Sequence, residues 1–280
     1  MMPRVTRRRW AASIAGFWAI SRCSRGSELL AAGPRAADPA QMLPMGQIPA
    51  GQRELVAEVI RDAMIRRKGA TDSFPCQSPI YQGLIDEPAI TLALWQDLGD
   101  SPVRLRQVAP GRYEGTDGAG ASATWEIVLR TPKLHVFYSN LDYTSPRGAA
   151  HLQGRIVLIV RSGYFKEVNG EPYVQHDVEA FVKVDSKGWK ALARTVRPIL
   201  EKVLEDQVQE AGLFISLMGR LVETYPNWAC QTALKAQTTA EAKQEFRSTV
   251  TQYRRPGASA GRPEVAGATA PQSGSSRRRS

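Results

Sequence analysis

Hydrophobic and polar residues alternate most cleanly over 173–184. Val174, His176, Val178, Ala180, Val182 and Val184 share one side, Gln175, Asp177, Glu179 and Lys183 share the other, and Phe181 is the exception. A period of two over this length predicts a half-buried antiparallel strand. The run over 152–165 is rich in β-branched and aromatic residues, and Asn169-Gly170 between the two runs is turn chemistry. After Asp185-Ser186, a capping pair, the period becomes helical. Ile199, Leu200, Val203, Leu204, Val208, Ala211, Phe214, Ile215, Met218, Leu221, Val222 and Tyr225 carry it. Pro198 would remove one helical hydrogen bond and crowd the turn before it. The pattern therefore predicts helices over 187–196 and 198–225, the second ended by Pro226.

Four shorter strand-like runs precede this unit, at 103–109, 112–117, 122–130 and 134–141. Pro110-Gly111, Asp117-Gly118 and Thr131-Pro132 separate them as turns. Upstream, Leu55, Val56, Val59, Ile60, Ala63 and Met64 mark one side of an amphipathic helix over 52–67. After a break over 69–75, Ser78-Pro79 opens a helix to Ile85, and Pro88 opens another to the Leu98-Gly99 stop. The expectation is one α+β domain over 52–226, with short helices before an antiparallel sheet of about six strands and a long C-terminal helix packed on it. A weaker helical pattern extends it over 227–253. Residues 254–280 are Gly, Ala, Pro and Ser with Arg, which predicts a disordered basic tail.

Charge changes the picture less than its total suggests. The chain carries a formal +10, but 1–40 hold seven Arg against two acids, and 254–280 hold six Arg against one. Residues 41–253 are balanced at 24 basic and 24 acidic side chains. A folded nucleic-acid site needs a basic face, so specific nucleic-acid binding is set aside for the body.

The N-terminus has the three parts of an export signal. Thr6-Arg7-Arg8-Arg9-Trp10 resembles a twin-arginine motif, 11–20 form a short uncharged apolar run, and Arg22 and Arg25 follow it. Two readings stay open: an exported protein with a signal-like leader over 1–41, or a cytoplasmic one whose true start is Met42 or Met45. No run approaches transmembrane length, so a soluble protein is expected.

Candidate chemistry is sparse. His176 is the one polar side chain on the inward side of its strand, which makes it the candidate general base; a hydrogen-bonded core histidine is the other reading. Asp177 and Glu179 lie on the opposite side, and His135 and His151 stand apart in sequence. Three histidines without spacing give no metal site, and no cofactor signature is present. Asp86 and Glu87, before Pro88, read as caps. The glycine-rich run Gly115–Gly120 reads as a hairpin turn, because a strand follows it where a phosphate loop needs a helix. Cys76 and Cys230 flank the sheet and could form a disulfide in an oxidising compartment, or stay as two separate buried thiols.

Short helices, an antiparallel sheet and a long C-terminal helix, in that order, resemble the START-like (helix-grip) superfamily over roughly 75–226. The wording of several segments is similar to an uncharacterised bacterial family of unknown function. These are Phe74-Pro75-Cys76 with Tyr81, Leu84-Ile85-Asp86-Glu87-Pro88, Trp95 with Leu98-Gly99, Trp125-Glu126, and Phe214-Ile215-Ser216 before Tyr225-Pro226. The helix-grip resemblance implies an apolar small molecule or lipid held between sheet and helix, and it transfers no functional residue. The expected function is a non-catalytic binding or scaffold domain. The alternative is a helix-grip enzyme using His176 in the cavity. Oligomeric state has no signature in the sequence.

Overall fold

The computed structural model describes residues 43–99, 101–118, 120–144, 151–185, 212–255 and 257–263. The export-like leader, the helix expected over 187–196, Trp189, the Pro198 break and residues 264–280 lie outside the described residues.

After a 3-10 turn at Met45–Gln47 come α1 (Ala50–Arg61), β1 (Ile65–Lys68), β2 (Asp72–Pro75), α2 (Ser78–Asp86) and α3 (Pro88–Leu98). Six strands follow: β3 (Arg104–Ala109), β4 (Arg112–Thr116), β5 (Ala121–Thr131), β6 (Leu134–Thr144), β7 (His151–Lys166) and β8 (Pro172–Val184). A helix described over 212–224 is α4, and α5 (Pro226–Ala233) and α6 (Ala240–Gln252) complete the order.

All strand pairs are antiparallel, in the order β1-β8-β7-β6-β5-β4-β3. β2 also pairs with β8, so β1 opposite 179–182 and β2 opposite 173–176 act as one interrupted edge strand. The sheet thus has eight strands where about six were expected. The two additional strands fall where the sequence suggested the end of a helix and a break. Four residues are too few to display a period of two, and Ala63 and Met64 continue the helical spacing past the true end at Arg61.

The alternation in β7 and β8 sorts side chains onto two faces. Ile156, Val160, Val174, Val178, Ala180 and Val182 pack on one side with residues of α2, α3, α4, α5 and α6. Val157, Ile159 and Phe181 pack on the other with Val56, Val59 and Ile60 of α1. Phe181 is the exception in the sequence pattern because α1 covers that face. The middle of β8 is therefore buried on both sides, and even Glu179 is enclosed there, paired with Arg66 and Arg161 at 2.8 and 3.0 Å.

Arg155 and Lys183 hold α1 on this outer face. Arg155 bonds Glu58 at 2.7 Å and Asp185 at 2.8 Å, and Lys183 bonds Glu58 at 2.6 Å and Asp62 at 3.0 Å. Pro226, expected to end a helix, is the first residue of α5, where its missing N–H costs nothing. Trp228, Ala229 and Ala233 of α5, with Phe246 and Val250 of α6, enter the same core as α2 and α3. None of the described helices is long and apolar enough to cross a membrane.

Candidate ligand cavity

A cavity of ≈ 240 Å³ lies between the inner sheet face and helices α2, α3 and α4. Its wall is built by alternation: Trp125 on β5, Phe137 and Leu141 on β6, Ile156, Leu158 and Val160 on β7, and Ala180 on β8. Leu84 and Ile85 of α2, Leu92 of α3, and Phe214 and Ile215 of α4 close it. Space exists because inward positions of β4 and β5 are small: Gly115, between Leu105 and Ala123 in register, and Ala121.

Three polar groups in this wall bond within the protein. Thr91 donates to the Leu84 carbonyl at 2.6 Å, and the Tyr113 hydroxyl lies 3.3 Å from both the Asp86 carbonyl and a Glu87 oxygen. Asp117 accepts from the Ala121 backbone N–H at 2.9 Å, closing the β4–β5 turn in which Gly118 and Gly120 adopt positive φ. The glycine-rich run is thus a hairpin turn, as its sequence indicates. An interior whose hydrogen bonds are internally satisfied favours apolar atoms over water or a polar guest.

A separate groove of ≈ 890 Å³ lies on the other face of the same strands, floored by the backbone of Leu105, Gly115, Ala123, Leu141 and Gly154. Its remaining wall is polar. Arg106 pairs with Glu114 at 3.0 Å, Asp142 with His151 at 3.0 Å, and Arg155 with Asp185. Ser139 sits between Phe137 and Leu141 on the inner side of β6, fully buried, and its Oγ has no hydrogen-bond partner among the described residues.

His176 is inward as expected, but it is not among the residues lining the cavity. Its Nδ1 lies 3.2 Å from the Tyr81 hydroxyl, which in turn lies 2.8 Å from Ser162 Oγ. Phe74 packs edge-on at 5.3 Å between ring centres. Nε2 faces the Gly212 backbone without a regular hydrogen bond. Burial pushes its pKa below the ordinary 6.5, against the opposing charge of Asp72, so the ring is neutral at pH 7.

Cys76 and Cys230 are both free thiols. Cys76 is fully buried beside Phe74 and Gly219, while Cys230 faces the Arg247 carbonyl at 3.8 Å. Burial and the Glu223 carboxylate push the Cys76 thiol well up, which leaves it protonated and unreactive.

Glu87 holds the N-cap position of α3, but neither its side chain nor that of Asp86 makes the capping bond. Asp86 bonds His135 Nε2 at 2.8 Å and Arg130 at 3.1 Å, while Glu87 bonds Thr238 at 3.1 Å. Burial pushes the Glu87 carboxyl up. These contacts tie α2 and α3 to β4, β5, β6 and the turn before α6, partners too distant in sequence for any local pattern to reveal. Among the described residues no group of three His, Cys, Asp or Glu is placed to hold a metal ion. Phe137 was not singled out by sequence, and the only available signal for the cavity was the small inward residues near 115–123.

No family model and no curated protein matches the chain. Among solved structures, a START superfamily protein from Mycobacterium smegmatis covers 55% of this chain and 97% of its own, at 8% identity and a TM-score of 0.30. A conserved protein from Geobacillus kaustophilus covers 53% and 95% at 13% identity and 0.32. A hypothetical protein from Helicobacter pylori covers 69% and 100% at 12% identity and 0.35. At such identities no residue of this chain inherits a role from them.

Proposed function

We propose that this chain is a binding protein that holds a small apolar molecule between its sheet and helices α2, α3 and α4. The observation that carries the reading is the cavity itself: ≈ 240 Å³, walled by Trp125, Phe137, Leu158, Phe214 and other apolar side chains, with Thr91 and Asp117 bonded within the protein. An apolar cavity of about 150 Å³ takes one benzene ring. By that scale this one takes about ten heavy atoms, a bicyclic ring or a medium-length chain.

Solvent extraction of the purified protein followed by mass spectrometry tests the reading. Recovery of an apolar molecule near one equivalent supports it. Finding none, together with no uptake of Nile red, contradicts it. An enzymatic role for His176 has no support from the cavity geometry, because its ring is enclosed by Tyr81, Phe74 and Ser162. We also propose export, on the strength of Thr6-Arg7-Arg8-Arg9-Trp10 and the apolar run after it. N-terminal sequencing of the mature protein tests this, and a start at Met42 or Met45 would contradict it.

A further inference from the structure

Four aromatic side chains line the cavity: Tyr113 on β4, Trp125 on β5, Phe137 on β6 and Phe214 on α4. Tyr113 and Trp125 are register partners, so they leave the inner face of the sheet as neighbours. Trp125 pairs in turn with Ser139 of β6, two residues from Phe137 on the same face. Ala121 and Ala123 share that face of β5 with Trp125, and their small side chains leave room beside its ring. Phe214 enters from the helix side.

Three of the four rings are held by residues that do not themselves line the cavity. The Tyr113 hydroxyl lies 3.3 Å from the Asp86 carbonyl and from a Glu87 oxygen. Phe137 stacks on His135 with ring centres 6.4 Å apart and planes 21° apart, and Asp86 bonds that imidazole at 2.8 Å. Phe214 packs on Trp95 with ring centres 4.3 Å apart. Trp125 and Phe137 keep accessible surface although they lie on the inner face, so their rings border the empty volume.

We infer that the cavity selects a flat molecule of two fused aromatic rings over a saturated or chain-like one of equal carbon count. This rests on the cavity being a ligand site, and it adds the chemical class of the ligand. Aromatic rings in offset or edge-to-face arrangement attract one another beyond the area they bury. A saturated bicycle exposes more apolar surface in water, so transfer alone ranks it at least as high. A ten-carbon chain would have to freeze its torsions, a cost that a fused bicycle does not carry. Rings already held in place lose little freedom when the guest arrives.

Isothermal titration of the full chain with 2-naphthol and with its saturated counterpart, decahydro-2-naphthol, tests the inference in wild type, Phe137→Leu and Phe214→Leu. Wild type is expected to bind the aromatic alcohol at least about threefold more tightly. Each leucine variant keeps the wall apolar and is expected to lower that preference by about twofold to tenfold. Both alcohols carry one hydroxyl, and any difference between their hydroxyls is the same in wild type and variants. Circular dichroism melts establish that each variant is folded, and one folded variant is sufficient. Equal or tighter binding of the saturated alcohol by wild type, or an unchanged preference in a folded variant, would overturn the aromatic class while leaving the cavity reading intact. Binding of neither alcohol to wild type would overturn both.

Discussion

Tyr81 and His176, 95 residues apart in sequence, meet in the core with the phenol oxygen 3.2 Å from the imidazole Nδ1. Ser162 completes the chain of contacts from β7. The arrangement ties α2 to two central strands with every ring buried or nearly so, and it leaves the imidazole neutral. Tyr81→Phe removes the shared hydroxyl and strands two buried polar atoms, so it is expected to cost about 1–3 kcal/mol. Urea denaturation of the variant and wild type checks this.

The same histidine gives stability a pH dependence with a definite sign. Its folded pKa lies below the unfolded 6.5, so the unfolded chain binds the extra proton first. Stability is expected to fall as pH drops below 6.5. His176→Phe should flatten that part of the profile, measured as Tm against pH between 7 and 5. An unchanged slope would mean that the ring is accessible and charged in the folded protein.

A second pH window belongs to Glu58. Hydrogen bonds from Arg155 and then Lys183 bring its carboxyl from 4.5 to about 2. A carboxyl with a depressed folded pKa stabilises above its unfolded value, and that contribution is lost as pH falls from 4.5 towards 2. Glu58→Gln is expected to weaken the acid-side slope in that interval and to leave the region near pH 6 alone. Thermal melts from pH 2 to 5 distinguish the two variants.

Burial on both sides of β8 makes Phe181 a sensitive position. Phe181→Ala, opposite Val56 and Val59, is expected to cost about 3–5 kcal/mol. Phe165→Ala, at 44% exposure on β7, should cost well under that. Comparable small losses at both sites, by chemical denaturation, would mean that α1 does not cover the sheet.

The partition between α1 and the sheet also shows what sequence could and could not reveal. The alternation of β7 and β8 was readable because each strand spans more than ten residues and its inner side is almost wholly apolar. Phe181 broke that rule, and nothing local pointed to α1 as the reason. β1 and β2 were too short to display a period. The cavity was legible only in outline: the inner faces could be assigned, but the volume left between them depends on how closely α4 approaches. His176 drew attention because polar inward residues are rare. Its partner Tyr81 lies on a helix whose docking no sequence pattern specifies.

That approach of α4 can be tested at glycine. A methyl group on Gly219 would stand 2.9 Å from Phe74 and 3.2 Å from Cys76, so Gly219→Ala is expected to destabilise although alanine is about 1 kcal/mol better in a helix. At Gly212 the same methyl meets His176 Nε2 at 3.6 Å, an ordinary contact, and Gly212→Ala should be tolerated. Circular dichroism melts of the pair read the difference.

The cavity's capacity to bind is tested most directly by Nile red fluorescence titration of wild type and Ala123→Phe. Ala123 faces the cavity from β5 between Ala121 and Trp125, where a phenyl ring would occupy the space a ligand needs. The account predicts saturable binding near one equivalent in wild type and at least about a tenfold loss in the variant, with Tm unchanged or raised as the void fills. Equal binding by both proteins, or none by wild type, would contradict it.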